Sequence, residues 1–193
     1  FLTDMADMSS VLKLISLDIQ KICNDLRLLA SGPNTGFAEI TLPPVEPGSS
    51  IMPGKINPSI CEAANMVCMQ AQGNDHAIAL ACGAGQLELN THMPVVGVNL
   101  VKSFKLLERC CRMLADKCVG GITADQERCR RHFEVSAGLP TILNPQLGYD
   151  RVAVLVKEGL AANKTLRQLV VEKNLMTEEA LEALLKKSIG PNL

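Results

Sequence analysis

The sequence predicts an all-α fold: an elongated helical bundle carrying a small helical domain at its C-terminal end. Three observations carry this expectation. Apolar residues recur at alternating spacings of three and four over 12–29 and again over 100–118, the seam of helices packed nearly parallel to their neighbours. Glycine and proline cluster between such stretches, at Gly32-Pro33, Gly83 with Gly85, and Gly120-Gly121, where they end helices. The hydrophobic fraction is 47% while aromatics are only 3%, so the core is built from Leu, Ile, Val, Ala, Met and Cys.

The first helix has Leu12, Ile15, Ile19, Ile22, Leu26 and Leu29 on its seam, with Asp18, Lys21, Asp25 and Arg27 off it. Residues 31–58 lack periodicity and hold Pro33, Pro43, Pro44, Pro47, Pro53 and Pro58. A connection this long in a compact domain is usually functional or disordered, and Phe37, Ile40, Leu42 and Val45 favour an ordered, docked one. A second helix starts near Pro58, capped by a Ser59–Glu62 capping box or by Asn57 with Pro58 at the first helical position. Ile60, Ala64, Val67 and Ala71 form its apolar stripe. The third helix carries Leu100, Phe104, Leu107, Cys111, Leu114 and Cys118, with a kink expected at Pro94. A shorter helix follows over 124–135, then a loop at "LPTILNPQLGYD", then short helices over 151–162, 166–173 and 178–187, the last capped by Thr177. The expected division is a bundle domain over 1–143 and a C-terminal helical domain over 144–193.

Composition excludes several classes of function. Nineteen basic and twenty acidic residues leave a net charge of −1, with no basic patch for a nucleic-acid backbone or an anionic membrane. No apolar run is long enough to span a bilayer. The eight cysteines contain no CxxC pair and sit mostly inside apolar helical patterns, so they read as small buried hydrophobes rather than metal ligands. A reducing, cytoplasmic compartment is expected.

The stretch that does not serve packing is "GSSIMPGKINP", residues 48–58. A phosphate-binding P-loop requires a shorter spacing before its Gly-Lys pair and a Ser or Thr after it. Here five residues separate Gly48 from Gly54, and Ile56 follows Lys55. A carboxylate site fits better. Lys55 is a point charge on a flexible stem, and the helix beginning at 57–59 offers free N–H groups at the positive end of its dipole. Asn57 adds a polar group there, and Ser49 or Ser50 stands close enough to act on a bound acid. An ordinary Gly/Pro loop with a surface lysine is the plain alternative.

These eleven residues resemble the signature loop of the fumarase/aspartase superfamily, lyases that eliminate water, ammonia or an amine to give fumarate. The likeness extends through "GPNTGFAEITLP", "CEAANMV", "GND", "GQLELN", "GITAD" and "LNPQLGYD". A single basic residue before Asn57-Pro58 resembles the fumarase and aspartase branch, and "GND" with "GQLELN" leans toward aspartase. The resemblance implies elimination of ammonia from L-aspartate, with fumarate hydration as the alternative and a non-catalytic structural homologue as a further one. It implies Ser49 as general base, Ser50, Lys55 and Asn57 as dicarboxylate-binding residues, and Glu62 in a supporting role, pairing with Lys55, orienting a partner, or merely capping. It implies no metal and no organic cofactor, and a homotetramer whose sites are shared between subunits. Asn34 stands where the family usually has Arg. None of His76, His92 and His132 fits the family's histidine-bearing segment. The chain resembles the C-terminal two-fifths or so of the family's proteins, so the 193 residues alone are expected to lack turnover.

Overall fold

The structure, a computed structural model, describes residues 1–52 and 54–189; Pro53 of the signature loop and residues 190–193 lie outside the described residues. It is all-α, as expected. Its helices are α1 (Thr3–Leu29), α2 (Ser59–Cys82), α3 (Met93–Lys117), α4 (Gln126–Val135), α5 (Gly138–Leu147), α6 (Tyr149–Ala162), α7 (Leu166–Glu172) and α8 (Glu178–Ile189). A single 3₁₀ turn at Val119–Gly121 follows α3. Two short strands, β1 (Ile40–Thr41) and β2 (Thr123–Ala124), pair with each other. The chain forms two compact units, Phe1–Thr123 and Ala124–Leu193.

The first unit is a three-helix bundle in which α2 packs between α1 and α3. Its buried stripe on α1 is Ser9, Leu12, Ser16 and Cys23, with Ile19 and Leu26 half-buried. The expected seam is therefore only partly the buried one, because Ile15 and Ile22 are 43% and 51% exposed. α3 repeats the shift: Ser103 and Cys110 are buried where Phe104 and Cys111 face outward. Small side chains let both helices approach the alanine-rich face of α2, while the bulkier stripe is left on the outside of this unit.

Polar pairs fix the register between the helices. Asp75 on α2, almost fully buried, accepts hydrogen bonds from Ser9 Oγ at 2.8 Å and from Lys13 Nζ at 2.6 Å. On the opposite side, Asn74 donates to Ser103 Oγ at 3.0 Å. Leu42 and the half-buried Ile40 dock the segment before the signature loop against Cys23, Cys61, Cys118 and Leu114. Pro43 lies over Gly121, where a Cβ would meet its ring at 2.5 Å.

Pro94 does not kink α3. It occupies the first helical turn, where its missing N–H costs nothing.

The second unit surrounds a core of Leu139, Leu143, Val152, Leu155, Leu169, Val170 and Leu181. The stretch "LPTILNPQLGYD" is largely helix α5 rather than a loop. Burial of Leu139 and Leu143, both fully enclosed, outweighs the cost of Pro145 inside the helix. Thr177 caps α8 as expected, its Oγ1 accepting from Ala180 N at 3.2 Å. Thr165 and Gln168 form a complete capping box on α7. Arg167, mostly buried, ties Glu134, Glu178 and Glu182 together, and its hydrogen bond holds Glu182 below the usual carboxylate range.

Candidate active site

The signature loop closes on itself through Gly48. The Gly48 N–H donates to Lys55 O at 2.9 Å, and Asn57 Nδ2 donates to Gly48 O at the same distance. A Cβ at position 48 would stand 2.3 Å from Lys55 O, so only glycine permits this approach. Gly54, with φ of +77°, turns the chain back at the far end of the loop.

Closure sets the Ser49 hydroxyl. Its Oγ accepts the N–H groups of Ile51 and Met52, both at 3.1 Å, and the side chain is half-buried. Two donors converging on one oxygen favour its anionic form over the neutral one, the condition a serine needs to take up a proton. Ser50 is exposed beside it.

Lys55 is exposed and, among the described residues, its ammonium has no ion pair or hydrogen bond. Its backbone is fixed to Gly48 and, through its N–H, to Met52 O at 3.3 Å, so the cation and Ser49 belong to one closed loop. Asn57 is half-buried and its amide is used inside the loop. Neither expected cap forms on α2: Pro58 is the N-cap residue and no side chain caps the first turn. The N-terminal end of a long helix dipole is thereby left beside the loop without a protein acceptor side chain.

Glu62 does not reach Lys55. It pairs with Arg27 at 3.4 Å, both side chains about two-fifths exposed, joining the last turn of α1 to the first of α2. Asn24 and Asn65 bridge the same two helices at 2.8 Å. His76 and His92 are exposed on α2 and before α3, and His132 lies on α4; none is in the loop. Among the described residues no group of three or more His, Cys, Asp or Glu is arranged to hold a metal ion.

Three features escaped the reading of the sequence: Gly48 as the clasp, Asn57 as the donor that closes it, and the two amides on Ser49. The Gly-Ser-Ser run carried a signal for the first, since a glycine at the mouth of a loop marks close backbone approach. Replacing Gly48 with Ala is expected to open the loop. With two hydrogen bonds worth about 1 kcal/mol each at stake, exchange of the Gly48 region's backbone amides should speed up roughly 30-fold. Amide hydrogen exchange checks this, and an unchanged rate would mean the clasp is not formed in solution.

Comparison with known proteins places this geometry in context. A family model described as "Lyase" matches residues 2–73, and one described as "Fumarase C C-terminus" matches residues 139–188. An aspartate ammonia-lyase of Helicobacter pylori is 46% identical over 178 residues, 92% of this chain and 38% of that protein. A class II fumarate hydratase of Pseudomonas putida is 43% identical over the same share of each chain, 92% and 38%. The solved fumarate lyase:delta crystallin of Brucella melitensis superposes with a TM-score of 0.87 at 44% identity, covering 94% of this chain and 39% of that one. The chain therefore spans about two-fifths of the length of the curated relatives it matches.

Proposed function

The chain belongs to the fumarase/aspartase superfamily of lyases, and we propose that it contributes the base-bearing loop of an aspartate ammonia-lyase. In this reading Ser49, as alkoxide, removes a proton from the carbon next to one carboxylate of L-aspartate. The resulting aci-carboxylate carries two negative charges, held by donors placed where that charge develops. The C–N bond on the adjacent carbon then breaks, ammonia leaves, and fumarate remains. Lys55 and the uncapped start of α2 hold the carboxylate. Asn57 and Ser50 line the same edge, and Glu62 braces α2 through Arg27. No metal or organic cofactor enters the step. The single observation that carries the reading is the Ser49 hydroxyl receiving two backbone amides on the loop that bears Lys55, whose ammonium has no partner among the described residues.

Residues beyond those of this chain complete the site in this reading, which takes the assembly to be a cytoplasmic homotetramer with sites shared between subunits. The outward apolar residues Ile15 and Ile22 on α1, and Phe104 on α3, support association. Light scattering on the protein extended to the length of its relatives should give four copies, and a monomer would remove the shared site. The division into a bundle domain over 1–143 and a C-terminal helical domain over 144–193 is likewise a proposal, while the compact units divide at 123/124.

A class II fumarate hydratase is the second reading, favoured by the 43% identity to such an enzyme. It shares the proton abstraction and differs in the leaving group. Supplying the extended protein with L-aspartate and L-malate in parallel, and following fumarate by its ultraviolet absorbance, separates them. Turnover of L-aspartate with ammonium release is expected; turnover of L-malate alone would make the protein a hydratase. Turnover of neither would leave a structural homologue. Lys55→Gln in that protein should raise KM for the dicarboxylate about 10–100-fold with a smaller fall in kcat, the pattern of lost ground-state binding.

A further inference from the structure

Beneath the signature loop lie cysteines for which the elimination reaction has no use. Cys61, in the first turn of α2, and Cys118, at the C-terminal cap of α3, are buried with their sulfurs 3.7 Å apart. Cys23 on α1 hydrogen-bonds to Cys61. The pair lies beneath a shallow surface crevice bordered by Asn57, Pro58, Ser59 and Lys117, so a reagent reaches the buried sulfurs only when the ends of α2 and α3 breathe.

We propose that Cys61 and Cys118 form a disulfide couple, a modification site at which a two-electron oxidant ties the start of α2 to the end of α3. Each thiol loses one hydrogen, the S–S bond forms, and the oxidant takes up both protons and two electrons: a peroxide becomes water and alcohol, a diazene its hydrazine. The sulfurs must close from 3.7 Å to about 2.05 Å. Position favours this pair over the others. Cys110 lies in the same core and Cys68 is buried, but neither borders the crevice, and Cys111 is exposed. Burial pushes the Cys118 thiol up to about 11, and the hydrogen bond that Cys61 donates to Cys23, together with burial, pushes Cys61 up as well. Both thiols are therefore protonated at neutral pH, and the couple answers sustained oxidant rather than brief exposure. In a reducing compartment such a disulfide is transient.

The couple reaches the loop through Asn57, four residues before Cys61, whose amide holds Gly48 O at 2.9 Å. Drawing the first turn of α2 toward α3 moves that donor and with it Ser49. This last link rests on the function proposed above; formation of the disulfide does not.

The test is to treat the purified protein with diamide, digest it without reductant and map the cross-linked peptides by mass. A Cys61–Cys118 peptide pair, reversed by dithiothreitol and absent in Cys118→Ala, is expected, together with a melting midpoint raised by several degrees. Phenylarsine oxide, which bridges neighbouring thiols without oxidising them, should shield the same two from alkylation. If both stay alkylatable under either reagent, or if either pairs instead with Cys23, Cys68 or Cys110, the couple does not exist. Should Cys118→Ala fail to fold, the wild-type peptide map decides alone. In a protein with measurable turnover the cross-link should lower kcat reversibly. A complete cross-link with kcat unchanged would overturn the coupling to the loop.

Discussion

Replacing Ser49 with Ala should lower kcat of the extended protein about 10²–10⁴-fold, the range a positioned general base contributes, and leave its assembly and melting midpoint unchanged. The structural effect is small for a physical reason. Ser49 Oγ makes only two hydrogen bonds, to the N–H groups of Ile51 and Met52, and both residues are exposed, so water replaces the lost acceptor. The clasp of Gly48 onto Lys55 and Asn57 is made by other atoms and survives. The catalytic effect is large because, among the described residues, no other side chain receives these two amides. Ser50 is next in sequence, but neither amide donates to its hydroxyl, and Ser50→Ala should cost far less. Steady-state kinetics of the two variants side by side check this. Activity retained in Ser49→Ala would take the base from this residue.

The largest effect on stability is expected at Lys13. Its ammonium is 2.6 Å from Asp75 Oδ2, and the Asp75 side chain is only 10% exposed. Lys13→Met leaves that carboxylate enclosed between helices with Ser9 as its one remaining donor. Breaking a buried pair from one side costs roughly 3–5 kcal/mol, and because the Lys13 side chain is 38% exposed the figure here is about 2–4 kcal/mol. The reverse change should be milder. Asp75→Asn keeps the Ser9 hydrogen bond, and the partly exposed ammonium turns to water, at a cost of about 1 kcal/mol. This asymmetry separates a buried charge from an ordinary surface ion pair, for which both changes would be near zero. Urea denaturation of the two variants measures it.

Much of the fold was legible because helix periodicity and its glycine and proline punctuation are local properties. The boundaries of α2, α7 and α8 fall within a residue or two of where caps and breakers put them. What periodicity could not choose was which of two apolar stripes α1 buries. Ile15 and Ile22 are better hydrophobes than Ser16 and Cys23, yet the small residues lie inside, since the alanine-rich α2 admits only close neighbours. The same limit hid α5. Two prolines argue for a loop, and only the core around Leu143, assembled from α6, α7 and α8, makes a helix worth its lost hydrogen bond.

The site divided similarly. Ser49 and Lys55 were singled out from the loop's eleven residues because family resemblance is written in side chains. The clasp was not, because it runs through backbone atoms of Gly48 and Lys55 that leave no side-chain mark. Asn57 was read as a cap or a ligand; it does not cap α2, and its amide closes the loop. Glu62 was offered to Lys55 and met Arg27, a residue distant in sequence whose approach depends on how α1 and α2 cross.

A structure of the extended protein with succinate bound, an unreactive saturated four-carbon dicarboxylate, would decide the role given to the loop. Ser49 Oγ should lie within about 3.5 Å of a methylene carbon, with the adjoining carboxylate on Lys55 Nζ. Succinate seated with both methylenes turned from Ser49, or bound away from the loop altogether, would remove Ser49 and Lys55 from the chemistry.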